Sequence, residues 1–128
     1  MAIQPRSLEQ LQTFTILKPT TVAADNDTTG VDLSGIDGDA LFILNAVASG
    51  TANKTVKVKL QHSATSGGTY ADVTGGAFTD LGNADVQQKL SIPREQLNGF
   101  FRLSFTSLAN SYSAAVSCVA VGAARYAS

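Results

Sequence analysis

The chain has 128 residues, a net charge of −1 at pH 7, and 44% hydrophobic against 15% charged residues. That length suits one compact domain able to bury a core without cross-links, and the composition is the opposite of a disordered chain's. The near-neutral charge offers no electrostatic footprint for nucleic acid. A single cysteine, Cys118, excludes an internal disulfide or a cysteine zinc cluster, and no 18-residue apolar run predicts a membrane-spanning helix.

Eight of the ten acidic residues are Asp, and 13 Thr, 12 Ser and 11 Gly accompany them. Asp, Ser and Gly favour turns and Thr favours strands, so the composition predicts many strands and little helix. Residues 1 to 12 lack strand alternation and an apolar signal-peptide core, which predicts an arm on a chain that stays where it is made. "TFTIL" at 13 to 17 reads as a first strand stopped by Pro19. We divide the chain into an arm with first strand, residues 1 to 20, and a β-sandwich domain, residues 21 to 128. Five aspartates and three glycines between Asp25 and Asp39 read as loop, with a short strand near Thr29 to Leu33.

"ALFILNAVA", 40 to 48, is the most hydrophobic run, and its length and Gly-rich flanks favour a strand. "TVKVKLQH", 55 to 62, places Val56, Val58, Leu60 and His62 on one face and Lys57, Lys59 and Gln61 on the other, the mark of a half-buried antiparallel strand. "SATSGG" follows as a hairpin turn, with Gly67 and Gly68 expected at positive φ. "VQQKLSI", 86 to 92, alternates in the same way. "PREQLNG", 93 to 99, reads as one tight turn with a glycine stop. "FFRLSFT" turns Phe101, Leu103 and Phe105 inward, and "SAAVSCVAVGAA", 113 to 124, leans to strand. Seven to nine short strands separated by turns predict an all-β fold, a single antiparallel sandwich or jelly roll.

Four features carry candidate chemistry. His62, Ser63 and Asp72 contain the residue types of a hydrolase triad, but neighbouring strand residues point to opposite faces and no nucleophile elbow surrounds any serine. "DNDTTGVD", 25 to 32, opens like a calcium loop, but Ile36 stands where the bidentate Glu belongs. Lys57, Lys59 and Lys89 could share a basic strip, but no aromatics for base stacking accompany them. The fourth feature points elsewhere. Runs 40 to 48 and 113 to 121 are apolar on both faces, whereas a two-layer sandwich buries one face of each strand. They need cover, either from the arm or a loop or from another subunit. The residues assigned to such contacts are Leu11, Phe14, Ile16, Leu41, Ile43, Val47, Val119, Val121 and Tyr126. No catalytic, cofactor or metal residues are assigned, so the chain reads as a non-enzyme.

The strings "GVDLSGIDGDALFILNAVASG", "TVKVKLQHSATSGGTYADVTGGAFTDLGNA", "QKLSIPREQLNGFFRLSFT" and "SYSAAVSCVAVGAARY", from about Gly30 to Tyr126, resemble small capsid cement (decoration) proteins of tailed bacteriophages. The resemblance implies a jelly-roll-like domain that oligomerises as a dimer or trimer. It implies synthesis in the host cytoplasm and a place on the outer surface of the phage head. There the protein would bridge major capsid protein subunits, with no nucleic acid or membrane as partner. The alternatives are a phage tail or head-completion protein and a carbohydrate-binding β-sandwich. The absence of Trp and the presence of only three tyrosines disfavour sugar binding.

Overall fold

A computed structural model describes residues 11–22, 25–47, 55–82, 84–93, 99–106 and 114–124. The arm at 1–10, most of the expected turn at 93–99, and Tyr126 lie outside the described residues. The described strands are β1 (Leu11–Val22), β2 (Asn26–Asp27), β3 (Val31–Asp32), β4 (Ile36–Ala46), β5 (Lys57–Ser63), β6 (Ala71–Ala77), β7 (Val86–Ile92), β8 (Phe100–Thr106) and β9 (Ala114–Ala124).

Their pairing is nested. β1 pairs with β9, β2 and β3 with β8, β4 with β7, and β5 with β6, all antiparallel. The chain is therefore one long antiparallel ribbon whose tip is the β5–β6 turn. Rolling the ribbon brings β4 against β9 and β5 against β8. Two sheets result: β1-β9-β4-β7, here sheet A, and β2-β8-β5-β6 with β3 also on β8, here sheet B. This is the jelly-roll form of the β-sandwich, the fold class expected from the strand pattern.

Period-two alternation decides what fills the space between the sheets. Sheet A contributes Phe42 and Leu44 from β4, with Val116, Cys118 and Ala120 from β9. Sheet B contributes Val58 and Leu60 from β5, with Phe101, Leu103 and Phe105 from β8; all are buried. Large side chains on β4 sit beside small ones on β9, Phe42 opposite Ala120 and Leu44 opposite Cys118. That leaves room for Phe42 to meet Phe101 of the other sheet, with ring centroids 5.5 Å apart. At the edge of sheet A, Gln88 ties the layers together: its amide accepts from Thr79 N–H at 2.7 Å and donates to Thr79 C=O at 2.9 Å.

Three local expectations are corrected. Pro19 does not stop the first strand, which continues to Val22. β1 is an edge strand whose register slips between Leu17 and Thr20, and at such a slip no ladder bond is asked of the proline. β4 begins at Ile36, not at residue 40, because the Asp37–Leu41 stretch bulges against β9 around Gly38, whose φ is +99°. In the β5–β6 turn, Gly67 and Gly68 are not among the positive-φ glycines. Gly68 is required for space instead: a Cβ there would fall 2.5 Å from Thr65 Oγ1 and 2.6 Å from Ser63 Oγ.

Candidate interaction face

The outward side of sheet A is built by the same alternation that builds the core. Because Phe42, Leu44, Cys118 and Ala120 point inward, Leu41 and Ile43 of β4 and Val119 and Val121 of β9 point outward. Register sets Leu41 opposite Val121 and Ile43 opposite Val119, so four aliphatic side chains form two adjacent cross-strand pairs. Thr13 and Thr15 of β1 flank them on one side, Lys89 and Ser91 of β7 on the other. The four are half-buried by one another. Leu11, 43% exposed, and Val47, 56% exposed, extend the apolar surface at opposite ends of the sheet. Beside Val47 lies an open depression of about 460 Å³ edged by Pro19, Asn45, Asp85, Gln87 and Ser117. On its rim the Gln87 amide donates to Asn45 Oδ1 at 2.9 Å.

The outward side of sheet B is different in kind. Lys57 pairs with Asp80 at 3.3 Å and Lys59 with Asp72 at 3.0 Å. Gln61 donates to Asp72 at 2.9 Å and accepts from Arg102 Nε at 2.9 Å. The Arg102 guanidinium also pairs with Asp27 at 3.3 Å and lies 4.1 Å from the centroid of the Tyr70 ring. The Ser104 hydroxyl donates to Asp27 at 2.7 Å. The Gln61 hydrogen bond, with the Lys59 ammonium second, holds the Asp72 carboxyl below its usual range. Each of these charges has a partner within the chain, and desolvating such a surface costs more than it returns.

Several sequence candidates fall outside the interaction face. His62 sits with its ring edge-on to Phe101, centroids 5.5 Å apart. Ser63 takes the opposite side of β5, where its hydroxyl accepts from Thr65 N–H at 3.3 Å, and Asp72 is held by Lys59 and Gln61. The three form no nucleophile–base pair. The basic strip is corrected: Lys57 and Lys59 belong to sheet B and Lys89 to sheet A, so they share no face. Asp27 and Asp32 of the calcium-like stretch are engaged, Asp27 as above and Asp32 as acceptor from Ser34 N–H at 2.9 Å. Cys118 is buried, and burial pushes its thiol up to about 12.

Of the residues assigned to protein contacts, Leu41, Ile43, Val119 and Val121 meet on one face, with Leu11 and Val47 at its ends. Ile16 and Phe14 are corrected. Ile16, 4% exposed, is a core residue, and Phe14 turns inward from β1 to pack against that core. Both lie on the inward side of β1, as their alternation with Thr13 and Thr15 requires. The Arg102–Asp27–Tyr70 cluster has no sequence signal of its own. Alternation places Arg102 outward, but its partners come from segments distant in sequence.

The strand order defines the class as a jelly-roll β-sandwich, here with one aliphatic and one self-paired polar outer face. Among solved structures the chain is similar to infectious bursal disease virus, Gx strain, with TM-score 0.53 and 12% identity over 88% of this chain and 31% of that one. It is similar to the VP2 subviral particle of the same virus, with TM-score 0.51 and 14% identity over 87% and 31%. The chain thus spans about a third of those capsid chains. The SPBc2 prophage-derived protein YomS matches with TM-score 0.50 and 9% identity over 88% of this chain and 93% of its own. The K1 cleaved adhesin domain of Lys-gingipain from Porphyromonas gingivalis W83 matches with TM-score 0.52 and 11% identity over 88% and 73%. At these identities the likeness is one of fold. No protein-family model and no curated protein sequence matches the chain.

Proposed function

We propose that this chain is a non-enzymatic virion structural protein, a capsid cement protein. In this reading it binds the outer surface of a phage head and bridges major capsid protein subunits. The observation that carries the reading is the contrast between the two outer faces. Sheet B pairs its charges internally, while sheet A turns Leu41, Ile43, Val119 and Val121 outward, and contiguous apolar surface of that kind favours association. The fold, shared with virus capsid chains and at nearly full length with a prophage-derived protein, supports a virion setting. Residues 1 to 20 serve as a reaching arm with its anchoring strand, and residues 21 to 128 as the body of the clamp. Many modest contacts repeated by lattice symmetry give large collective stabilisation.

The test is co-sedimentation of the purified protein with expanded capsids that lack it, titrated to saturation. A fixed, lattice-like number of copies per capsid, with greater resistance of the particle to heat, supports cement. A folded protein that leaves capsids untouched refutes it.

A further inference from the structure

Among the described residues, the lysines and the arginine divide between the two sheets. On sheet B, Lys57, Lys59 and Arg102 each have an aspartate within 3.3 Å. On sheet A, Lys18 of β1 and Lys89 of β7 are exposed, and neither ammonium group has an ion pair or a hydrogen bond. They stand on the two edge strands of the order β1-β9-β4-β7, so three strand spacings, roughly 14 Å, separate them across the sheet. Ile43 and Val119 of the aliphatic face share one cross-strand row with Lys89.

An exposed lysine in isolation is simply solvated, and on an edge strand it also discourages strand addition. The state of the carboxylates sets these two apart. Every aspartate whose side chain is described is engaged. Asp27, Asp72 and Asp80 hold the ion pairs, and Asp32 accepts from Ser34 N–H. Asp25, Asp39 and Asp85 have interactions of their own. Among the described residues, the uncompensated charges are therefore positive, and both belong to the sheet with the aliphatic face.

A partner that covers this face also dries its margins, and a lysine there is best met by a carboxylate. A second copy is a poor source, because its described carboxylates are already engaged and one drawn from a pair gives up what it gains in another. Nucleic acid is a poor source too: two cations set about aliphatic side chains neutralise few phosphates and offer no stacking aromatics. We infer that the capsid surface under sheet A is aliphatic at its centre and acidic at its margins, with carboxylates placed to meet Lys18 and Lys89. This inference rests on the cement reading and adds the chemistry of the partner. Apolar contact supplies the burial, and the two ammonium groups set orientation and speed encounter.

Co-sedimentation with expanded capsids, repeated from low to high sodium chloride, tests it. Wild-type binding is expected to weaken as salt rises, because ion pairs at an exposed margin are screened. Lys18→Gln and Lys89→Gln each flatten that dependence, and Lys89→Glu weakens binding at low salt by roughly tenfold. Lys57→Gln, whose partner Asp80 lies in the same chain, leaves the dependence unchanged. Thermal melting of each variant near wild type shows that the fold is intact. Capsid binding indifferent to salt and to both lysine substitutions overturns the acidic margin and leaves the cement reading standing. Equal flattening by Lys57→Gln overturns it as well. A wild type that does not bind even at low salt overturns the cement reading, and this inference with it.

Discussion

Phe42 and Ile43 are neighbours in sequence on opposite faces of β4, and substituting each in turn separates folding from association. Phe42 is 0% exposed and packs against Phe101 at 5.5 Å, so Phe42→Ala removes its burial and opens a cavity between the sheets, costing about 3–5 kcal/mol. For a domain of this size that is a drop of roughly 10–20 °C in Tm. Ile43 packs only on the outer surface, opposite Val119 and Lys89. Ile43→Thr keeps the β-branch and forfeits part of one cross-strand contact, about 1 kcal/mol or less. In a complex that covers the face, the same change forfeits about 0.8 kcal/mol of apolar burial and adds a hydroxyl to desolvate at about 1–3 kcal/mol. A loss of about 2 kcal/mol per site is roughly thirtyfold in Kd. Thermal melting and capsid co-sedimentation of the two variants form the assay. Phe42→Ala is expected to melt early, and Ile43→Thr to melt near wild type and bind poorly. An Ile43→Thr protein that saturates capsids at wild-type concentrations refutes the assignment of the face. One that melts as early as Phe42→Ala shows the face to be covered within the chain itself.

Three further outcomes are expected. The Cys118 thiol, pushed up to about 12 by burial, stays unreactive toward a disulfide reagent at pH 8 in the folded protein and reacts at once in denaturant; rapid labelling of the native state would contradict its burial. Gly99→Ala destabilises by about 2 kcal/mol or more in urea unfolding, because Gly99 has φ +86° and a Cβ would lie 2.8 Å from Ser63 C=O. Asp72 has its carboxyl held below the usual range by Gln61 and Lys59. Its contribution to stability is therefore present above the unfolded-state pKa and is lost as pH falls through the lower folded-state value. Acid titration of unfolding is expected to be shallower in Asp72→Asn than in wild type, and identical slopes would contradict the pairing.

Legibility in the sequence followed the range of the interaction. The β5 and β8 faces were readable because a period of two is local: Val58 and Leu60 against Lys57 and Lys59, Phe101 and Leu103 against Arg102. The limits of β7 were readable for the same reason. The same alternation on β1, Phe14 and Ile16 against Thr13 and Thr15, was equally local, and assigning Phe14 and Ile16 to outside contacts ran against it. Lys89 looked like a companion of Lys57 and Lys59 because alternation says which side a residue takes and nothing about which sheet holds it. The apolar face was legible as an excess: two strands with too many aliphatics for a two-layer sandwich. Its composition from Leu41–Val121 and Ile43–Val119 pairs required the topology.

The modest size of that face is itself an argument about how it works. A larger apolar surface would drive the free chain to aggregate before it met a lattice. Four aliphatics that already shield one another leave each copy only a few kcal/mol to gain on contact, which is weak binding for a single site. Under the cement reading, strength has to come from number. Contacts repeated by the symmetry of the lattice supply that number, since each further contact forms at the high effective concentration set by the first.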